Sequence, residues 1–273
     1  TYIGKFKENG TVEVVAGQYG YSKIGVKDNS KIDTTIFNKI ISFTHDSDGN
    51  LFVGDYNNGD GRVYKIDSNG TITTVAGGGE TEYVGNGLAA RDWRIYNLQD
   101  IIFDKDGILY VITQTYIWKV GTDNIVTHYG GNGSGWYTGD GGLATSASFG
   151  ATETAFDALG NLYFSDKENH VIRKIDTNGI ITTIAGDGSG GHTGDGGLAT
   201  SAKLNGPRGL VLDQDGTLYF SDTGNHVIRK ITEDGIISTF AGTTNDGYSG
   251  DNGQALNADI SGPDDIKIDE SGN

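Results

Sequence analysis

The sequence has no cysteine, no methionine and only 2 prolines in 273 residues. Without cysteine, no disulfide forms and no zinc, haem or iron–sulfur site can rest on thiolates. No apolar run approaches the ~20 residues that a membrane-spanning helix needs. Basic residues are scarce: 20 Lys and Arg stand against 36 Asp and Glu, a net charge of −16. A chain of that sign repels phosphate backbones, which argues against nucleic-acid binding. No stretch carries apolar residues at helical spacing, so no amphipathic helix is expected. Glycine is plentiful, at 45 residues, more than twice the usual share of about 7%. It shows no G-X-Y period, which excludes a collagen-like chain.

What the chain does have is a repeat. Asn161–Asp166 (Asn-Leu-Tyr-Phe-Ser-Asp) returns as Thr217–Asp222, and His170–Ile175 (His-Val-Ile-Arg-Lys-Ile) as His226–Ile231. The run Gly139–Ala147 returns as Gly194–Ala202 and loosely as Gly250–Ala258, an offset of 55 or 56 residues. Weaker copies lie upstream at Asn50–Asp55 and Ile108–Thr113. Asp46, Asp104, Asp157, Asp213 and Asp269 mark successive units. A fixed period of this length signals stacked supersecondary units.

Each unit reads as four short strands. In 187–242 the apolar run Gly209–Asp213 ends at the turn Asp213–Gly216. Thr217–Asp222 and His226–Thr232 alternate apolar and polar residues, and Ile236–Ala241 closes the unit. Asp-Gly and Asn-Gly pairs supply the positive φ that tight hairpins demand. Short strands with a turn every 8–12 residues mark an all-β chain, and four-stranded units of this period predict β-propeller blades.

The motif series is Gly-Asp-Gly-Gly-x-Ala-Thr-x-Ala, Gly-Pro-x-Gly, Asp-x-Asp-Gly, Leu-Tyr-x-x-Asp, Asn-His-x-Ile-Arg-Lys and Ile-x-Thr-x-Ala-Gly. It resembles the NHL repeat, in the long bacterial and teneurin-type version with a Gly-Asp-Gly-Gly loop. The match runs almost throughout 131–186 and 187–242 and holds in strands and turns for 18–77 and 78–130. The resemblance implies a propeller, usually of six blades, in a secreted or cell-surface protein. Some NHL-like propellers are binding modules and some are metal-dependent lyases, so the fold alone names no activity.

The expected architecture is a single propeller over 1–273 with five traceable blades. They are 18–77, 78–130, 131–186, 187–242, and a closing blade shared by 243–273 and 1–17. An innermost strand is expected at Ile266–Asp269, and the alignment leaves the shared blade without its second strand. The polypeptide is therefore expected to continue beyond Asn273 with a strand like Leu218–Asp222.

Repeated residues read as structural. Asp55, Asp166 and Asp222 end the second strand and are expected to cap the following turn; His170 and His226 are expected to bond between blades. Arg173 and Arg229 read as surface packing. Asp140, Asp195 and Asp251 of the Gly-rich loops are candidates for calcium, a hard cation that takes carboxylate oxygens.

Non-repeated residues are better binding candidates, because a site on a repeat scaffold lies where the symmetry breaks. Counting back from the marker aspartates, the innermost strands carry Gln99, Asp100, Thr152, Glu153, Arg208, Asp264 and Asp265 at the expected channel mouth. Trp93, Trp136, Tyr137, His192 and Tyr248 lie in the longer loops, where aromatics suit glycan stacking or protein contact. A non-enzymatic binding propeller with a protein or glycan partner is the leading expectation. The lyase is the alternative, disfavoured because none of the five histidines falls at the channel-mouth positions.

Overall fold

The computed structural model describes residues 2–6, 12–17, 29, 37–82, 85–269 and 271–273, the first two stretches by backbone alone. Most of 18–36, the start of the first expected blade, thus lies outside the described residues. The chain divides into two compact units, Thr1–Thr113 with Ile117–His128 and Gln114–Tyr116 with Tyr129–Asn273.

In the first unit, β1 (Tyr2–Phe6) and β2 (Val12–Gly17) pair antiparallel as a two-stranded sheet. A four-stranded sheet follows in the order β3 (Ile40–His45), β4 (Leu51–Asn57), β5 (Asp60–Ile66) and β6 (Ile72–Gly77). The next sheet runs β7 (Leu88–Ala89), β11 (Ile125–Gly130), β10 (Ile117–Val120), β9 (Leu109–Thr113) and β8 (Leu98–Phe103). Its strand β8 packs against β3 and β4.

The second unit holds two sheets in simple meander order. They are β12 (Ala151–Phe156), β13 (Leu162–Asp166), β14 (Val171–Ile175) and β15 (Ile181–Ala185), then β16 (Pro207–Leu212), β17 (Leu218–Asp222), β18 (Val227–Ile231) and β19 (Ile237–Ala241). Strand β16 lies against β12 and β13. Between the two sheets is a core of Ile172, Ala185, Leu204, Leu210, Leu218 and Phe220, each no more than 2% exposed. Among the described residues the only helical elements are single 3-10 turns such as Lys167–Asn169.

The chain is thus an all-β propeller with four-stranded antiparallel blades. Four blades form, where five traceable ones, the fifth without its second strand, were expected. The strand expected at Ile266–Asp269 does not form, because among the described residues no strand pairs with 264–269. A lone extended segment leaves its N–H and C=O groups without the ladder that defines a strand.

The hairpins follow from local chemistry. Asp213 Oδ1 accepts the backbone N–H of Asp215 (3.0 Å) and Thr217 (2.8 Å), and Gly216 sits at φ 79°. The same carboxylate-closed turn recurs at Asp46, Asp104, Asp157 and Asp269. At each blade exit the glycine serves a second purpose. Gly186 has φ 92°, and a Cβ there would fall 2.3 Å from the His170 carbonyl oxygen; a Cβ on Gly216 would meet nothing within 4 Å. Gly186→Ala is expected to lower the unfolding free energy by about 1–3 kcal/mol, and Gly216→Ala by about 1 kcal/mol from backbone strain alone. Urea midpoints of the two variants check the difference.

Candidate functional site

The long loops between blades serve as an extra edge strand. In the second unit Gly141 N–H donates to Ile181 O (2.8 Å) and Ile181 N–H to Gly142 O (3.0 Å); Gly196, Ile237 and Gly197 repeat this at 2.8 and 3.0 Å. The Gly-Asp-Gly-Gly run therefore covers the open edge of β15 and of β19, an edge that would otherwise invite association.

This docking brings Asp140 and Asp195 over two buried guanidinium groups. Arg173 Nη2 donates to Asp140 Oδ1 (2.7 Å) and Arg229 Nη2 to Asp195 Oδ1 (2.5 Å). On the other side Arg173 Nη1 faces Asp166 Oδ2 at 3.8 Å, and Arg229 Nη1 faces Asp222 Oδ2 at 3.4 Å. Both arginines are 0% exposed. They are not surface packing, as their outer-strand position suggested, because each loop folds down over its arginine. Tyr137 completes the lid, its ring 4.9 Å from the Arg173 guanidinium carbon and its hydroxyl 2.8 Å from Thr183 Oγ1. In the first unit, Tyr64 and Trp118 occupy the corresponding strand position, each 2% exposed.

The second carboxylates tie strand ends to the segments that precede each blade. Asp166 accepts Gly150 N–H (2.9 Å) and Asn169 Nδ2 (2.7 Å). Asp222 accepts Asn205 N–H (2.7 Å) and Asn225 Nδ2 (2.8 Å), and Asp55 accepts Lys39 N–H (2.9 Å). Burial pushes the Asp166 carboxyl up to about 6 and raises Asp55 and Asp222 as well. The two histidines bridge to the following segment: Gly206 N–H donates to His170 Nδ1 and Gly262 N–H to His226 Nδ1, both at 3.1 Å.

The calcium candidates divide accordingly. Asp140 and Asp195 are engaged by arginine, and Asp251 accepts the Tyr248 hydroxyl at 3.1 Å. Among the described residues, no group of three or more His, Cys, Asp or Glu is arranged to hold a metal ion. Asp140 and Asp195 do not fit a calcium site, because a guanidinium already holds the position a cation would take.

The candidate channel-mouth residues fall in different units. In the first, Gln99 is half-buried and donates to Asn97 O, while Asp100 is buried and accepts Ser42 Oγ at 2.6 Å. Asp100 thus belongs to the packing of β8 on β3 rather than to an open surface. In the second, Arg208 forms an ion pair with Asp264, Asp265 accepts Lys267 Nζ (2.6 Å), and Thr152 Oγ1 lies 3.0 Å from Ser165 Oγ. Glu153 is half-buried, its N–H directed to Ser165 Oγ. Ser165 and Ser221, read only as repeat letters, turn out to stitch neighbours together. Their hydroxyls donate to Arg208 O (2.6 Å) and Asp264 O (2.5 Å). The signal was their recurrence in Leu-Tyr-Phe-Ser-Asp.

The loop aromatics also separate. Trp93 is buried against Trp118, ring centroids 5.4 Å apart, so it is no surface contact. His192 is half-buried, its Nε2 3.2 Å from Thr239 Oγ1. Trp136 and Tyr248 are 78% and 87% exposed.

A family model, the teneurin NHL domain, matches residues 186–249. The stretch 186–249 is thus similar to an NHL domain of the teneurin type. Teneurin-m of Drosophila melanogaster is 35% identical over 157 residues, which cover 50% of this chain and 5% of that protein. The chain thus spans a small fraction of the length of the curated relatives it matches. Among solved structures, an auxiliary nutrient binding protein from Bacteroides ovatus has a TM-score of 0.60 at 16% identity, covering 87% of this chain and 56% of that one. A catalytically inactive virginiamycin B lyase from Staphylococcus aureus, solved with quinupristin, has a TM-score of 0.51 at 17% identity, covering 88% and 69%. At such identities the likeness is one of fold, shared by a binding protein and an enzyme. No helix among the described residues is long and apolar enough to cross a membrane.

Arg173→Ala leaves Asp166 and Asp140 without their cation. It is expected to cost about 3–5 kcal/mol, measured by denaturant unfolding. The raised Asp166 carboxyl has a signed consequence. The folded state holds its proton up to about 6, whereas the unfolded chain releases it near 3.9. Its contribution to stability is therefore greatest at low pH and is lost as pH rises through that window. The stability difference between the native chain and Asp166→Asn is expected to fall by up to about 3 kcal/mol between pH 4 and 6. Chelator treatment is expected to leave the melting temperature unchanged, since Asp140 and Asp195 serve arginine.

Proposed function

We propose that this chain is a non-enzymatic binding propeller of a secreted or cell-surface protein, and that it offers its inter-blade loops to a protein or glycan partner. The observation that carries this reading is the pair of large aromatics held out to solvent on anchored loops. Trp136 (78% exposed) lies beside Tyr137, which is fastened to Arg173 and Thr183; Tyr248 (87% exposed) is fastened through its hydroxyl to Asp251. Exposed rings on rigid loops offer large contact area at low entropic cost. Both lie in the second unit. The likeness to teneurin and to a nutrient binding protein supports a binding role, and the resemblance to NHL proteins supports the location outside the cell. The Arg208–Asp264 pair is a second, polar contact point within the same unit.

A glycan array read beside immobilised extracellular protein fragments tests this. Trp136→Ala and Tyr248→Ala are each expected to weaken the captured partner about tenfold with unfolding midpoints unchanged. Arg208→Ala is expected to weaken it less. Binding untouched by both aromatic substitutions would remove these loops as the contact surface.

A further inference from the structure

Trp136 is where the loop repeat breaks. Its place in the two later copies is taken by Gly191 and Gly247, whereas Tyr137 beside it recurs as His192 and Tyr248. The indole is therefore not part of what every loop needs for packing, and it stands 78% exposed. The backbone around it is fixed on both sides. Asn169 Nδ2 donates to Gly135 O at 2.9 Å, Phe149 N–H to Ser134 O at 3.1 Å, and the Tyr137 hydroxyl lies 2.8 Å from Thr183 Oγ1. A ring held out on a loop anchored in this way loses little freedom when a partner covers it.

The exposed charge around this loop is mostly acidic. The Asn169 bond brings its neighbour Glu168 to the Trp136 loop, and the Glu168 side chain is 71% exposed. Asp187 is exposed as well and adjoins Gly188, where a Cβ would lie 3.8 Å from the Tyr137 ring. Lys167 pairs with Glu168 at 3.6 Å while its stem leans towards Gly206. A surface pair of that kind is weak and yields to a better-placed cation. The amides of the loop are already engaged: Asn132 Nδ2 donates to Ser146 O and Ser148 Oγ, and Asn169 Nδ2 to Asp166 and Gly135 O. An indole face and carboxylates are what this corner offers a partner.

The molecule itself shows which group such a set takes. One residue along the loop, the Arg173 guanidinium lies 4.9 Å from the Tyr137 ring and donates to Asp140 at 2.7 Å. In the first unit Arg94 lies 4.7 Å from the Tyr96 ring and 4.0 Å from Asp60. Resting on the reading of this chain as a binding propeller, we propose that Trp136, with Glu168 and Asp187, is the docking point for an arginine side chain on a protein partner. The guanidinium stacks on the indole and donates to a carboxylate. The net charge of −16 draws a basic segment of that partner towards the chain.

The probe is the labelled peptide Gly-Ser-Arg-Gly-Ser-Arg-Gly-Ser, beside a twin with citrulline, the uncharged isostere, at both arginine positions. Saturable binding below about 1 mM is expected by fluorescence anisotropy. Trp93 and Trp118 are each 2% exposed, so acrylamide quenching of tryptophan emission reads Trp136, which the bound peptide is expected to shield. The citrulline twin is expected to bind about tenfold more weakly, and Trp136→Ala to lose at least as much. Glu168→Gln and Asp187→Asn are each expected to weaken the peptide about threefold. Glu233→Gln, the same loss of charge at an exposed residue of the β18–β19 turn, is expected to leave affinity unchanged. Equal binding of the citrulline twin, an equal loss with Glu233→Gln, or no saturation at millimolar peptide would each overturn the proposal. A neutral glycan captured through Trp136 would overturn the arginine site and leave the binding propeller standing; capture of no glycan or protein fragment at all would overturn both.

Discussion

In the second unit, the loop, the sheet edge and the strand ends are all held by one buried guanidinium per blade. Arg173 and Arg229 are wholly inside the protein, each between a carboxylate from the loop and a carboxylate from the end of the second strand. A charge taken out of water must be compensated at close range, and removal of either partner strands the other. The pairs therefore add less net stability than specificity of arrangement. The loop must fold over the edge of its own sheet, since only that conformation brings Asp140 or Asp195 to the arginine. Once the loop is down, its backbone pairs with the outermost strand and the sheet has no open edge on that side.

From this anchoring follows the presentation of the aromatics. Tyr137 is spent on the arginine it covers, while Trp136 one residue earlier is left in solvent. The next loop repeats the geometry with a difference. Asp251 receives the Tyr248 hydroxyl rather than a guanidinium, and Tyr248 stands almost fully exposed. Structural and exposed aromatics thus arise from the same loop design, separated by whether an arginine lies beneath.

Much of the fold was legible in the sequence, because its signals are local. The alternation in Leu218–Asp222 and the Asp213–Gly216 turn act over a few residues, and their copies appear as strands and turns where the repeat placed them. The blade-to-blade bonds of His170 and His226 were readable for the same reason: a residue that recurs from unit to unit serves the packing those units share. The turn cap expected of Asp166 and Asp222 does not form, because their carboxylates accept the Gly150 and Asn205 N–H of the preceding segment instead. The blade count was not readable, because a strand exists only through its partner. Ile266–Asp269 has the residues of a first strand, and nothing among the described residues pairs with it.

By itself the sequence determined the period, the all-β class, the turn positions and the acidic surface, each a matter of composition or short-range pattern. The burial of Arg173, Trp93 and Asp100 was decided only by tertiary structure. Asp140 is 33 residues from Arg173 in the chain and Ser42 is 58 from Asp100, and Trp93, outside any strand, meets the ring of Trp118 on β10. An outward-pointing side chain on a strand looks like surface until a distant loop closes over it. Whether that loop brings an opposite charge, a ring or nothing sets the position as core, clamp or contact surface. That outcome depends on long-range contacts, which no local spacing encodes.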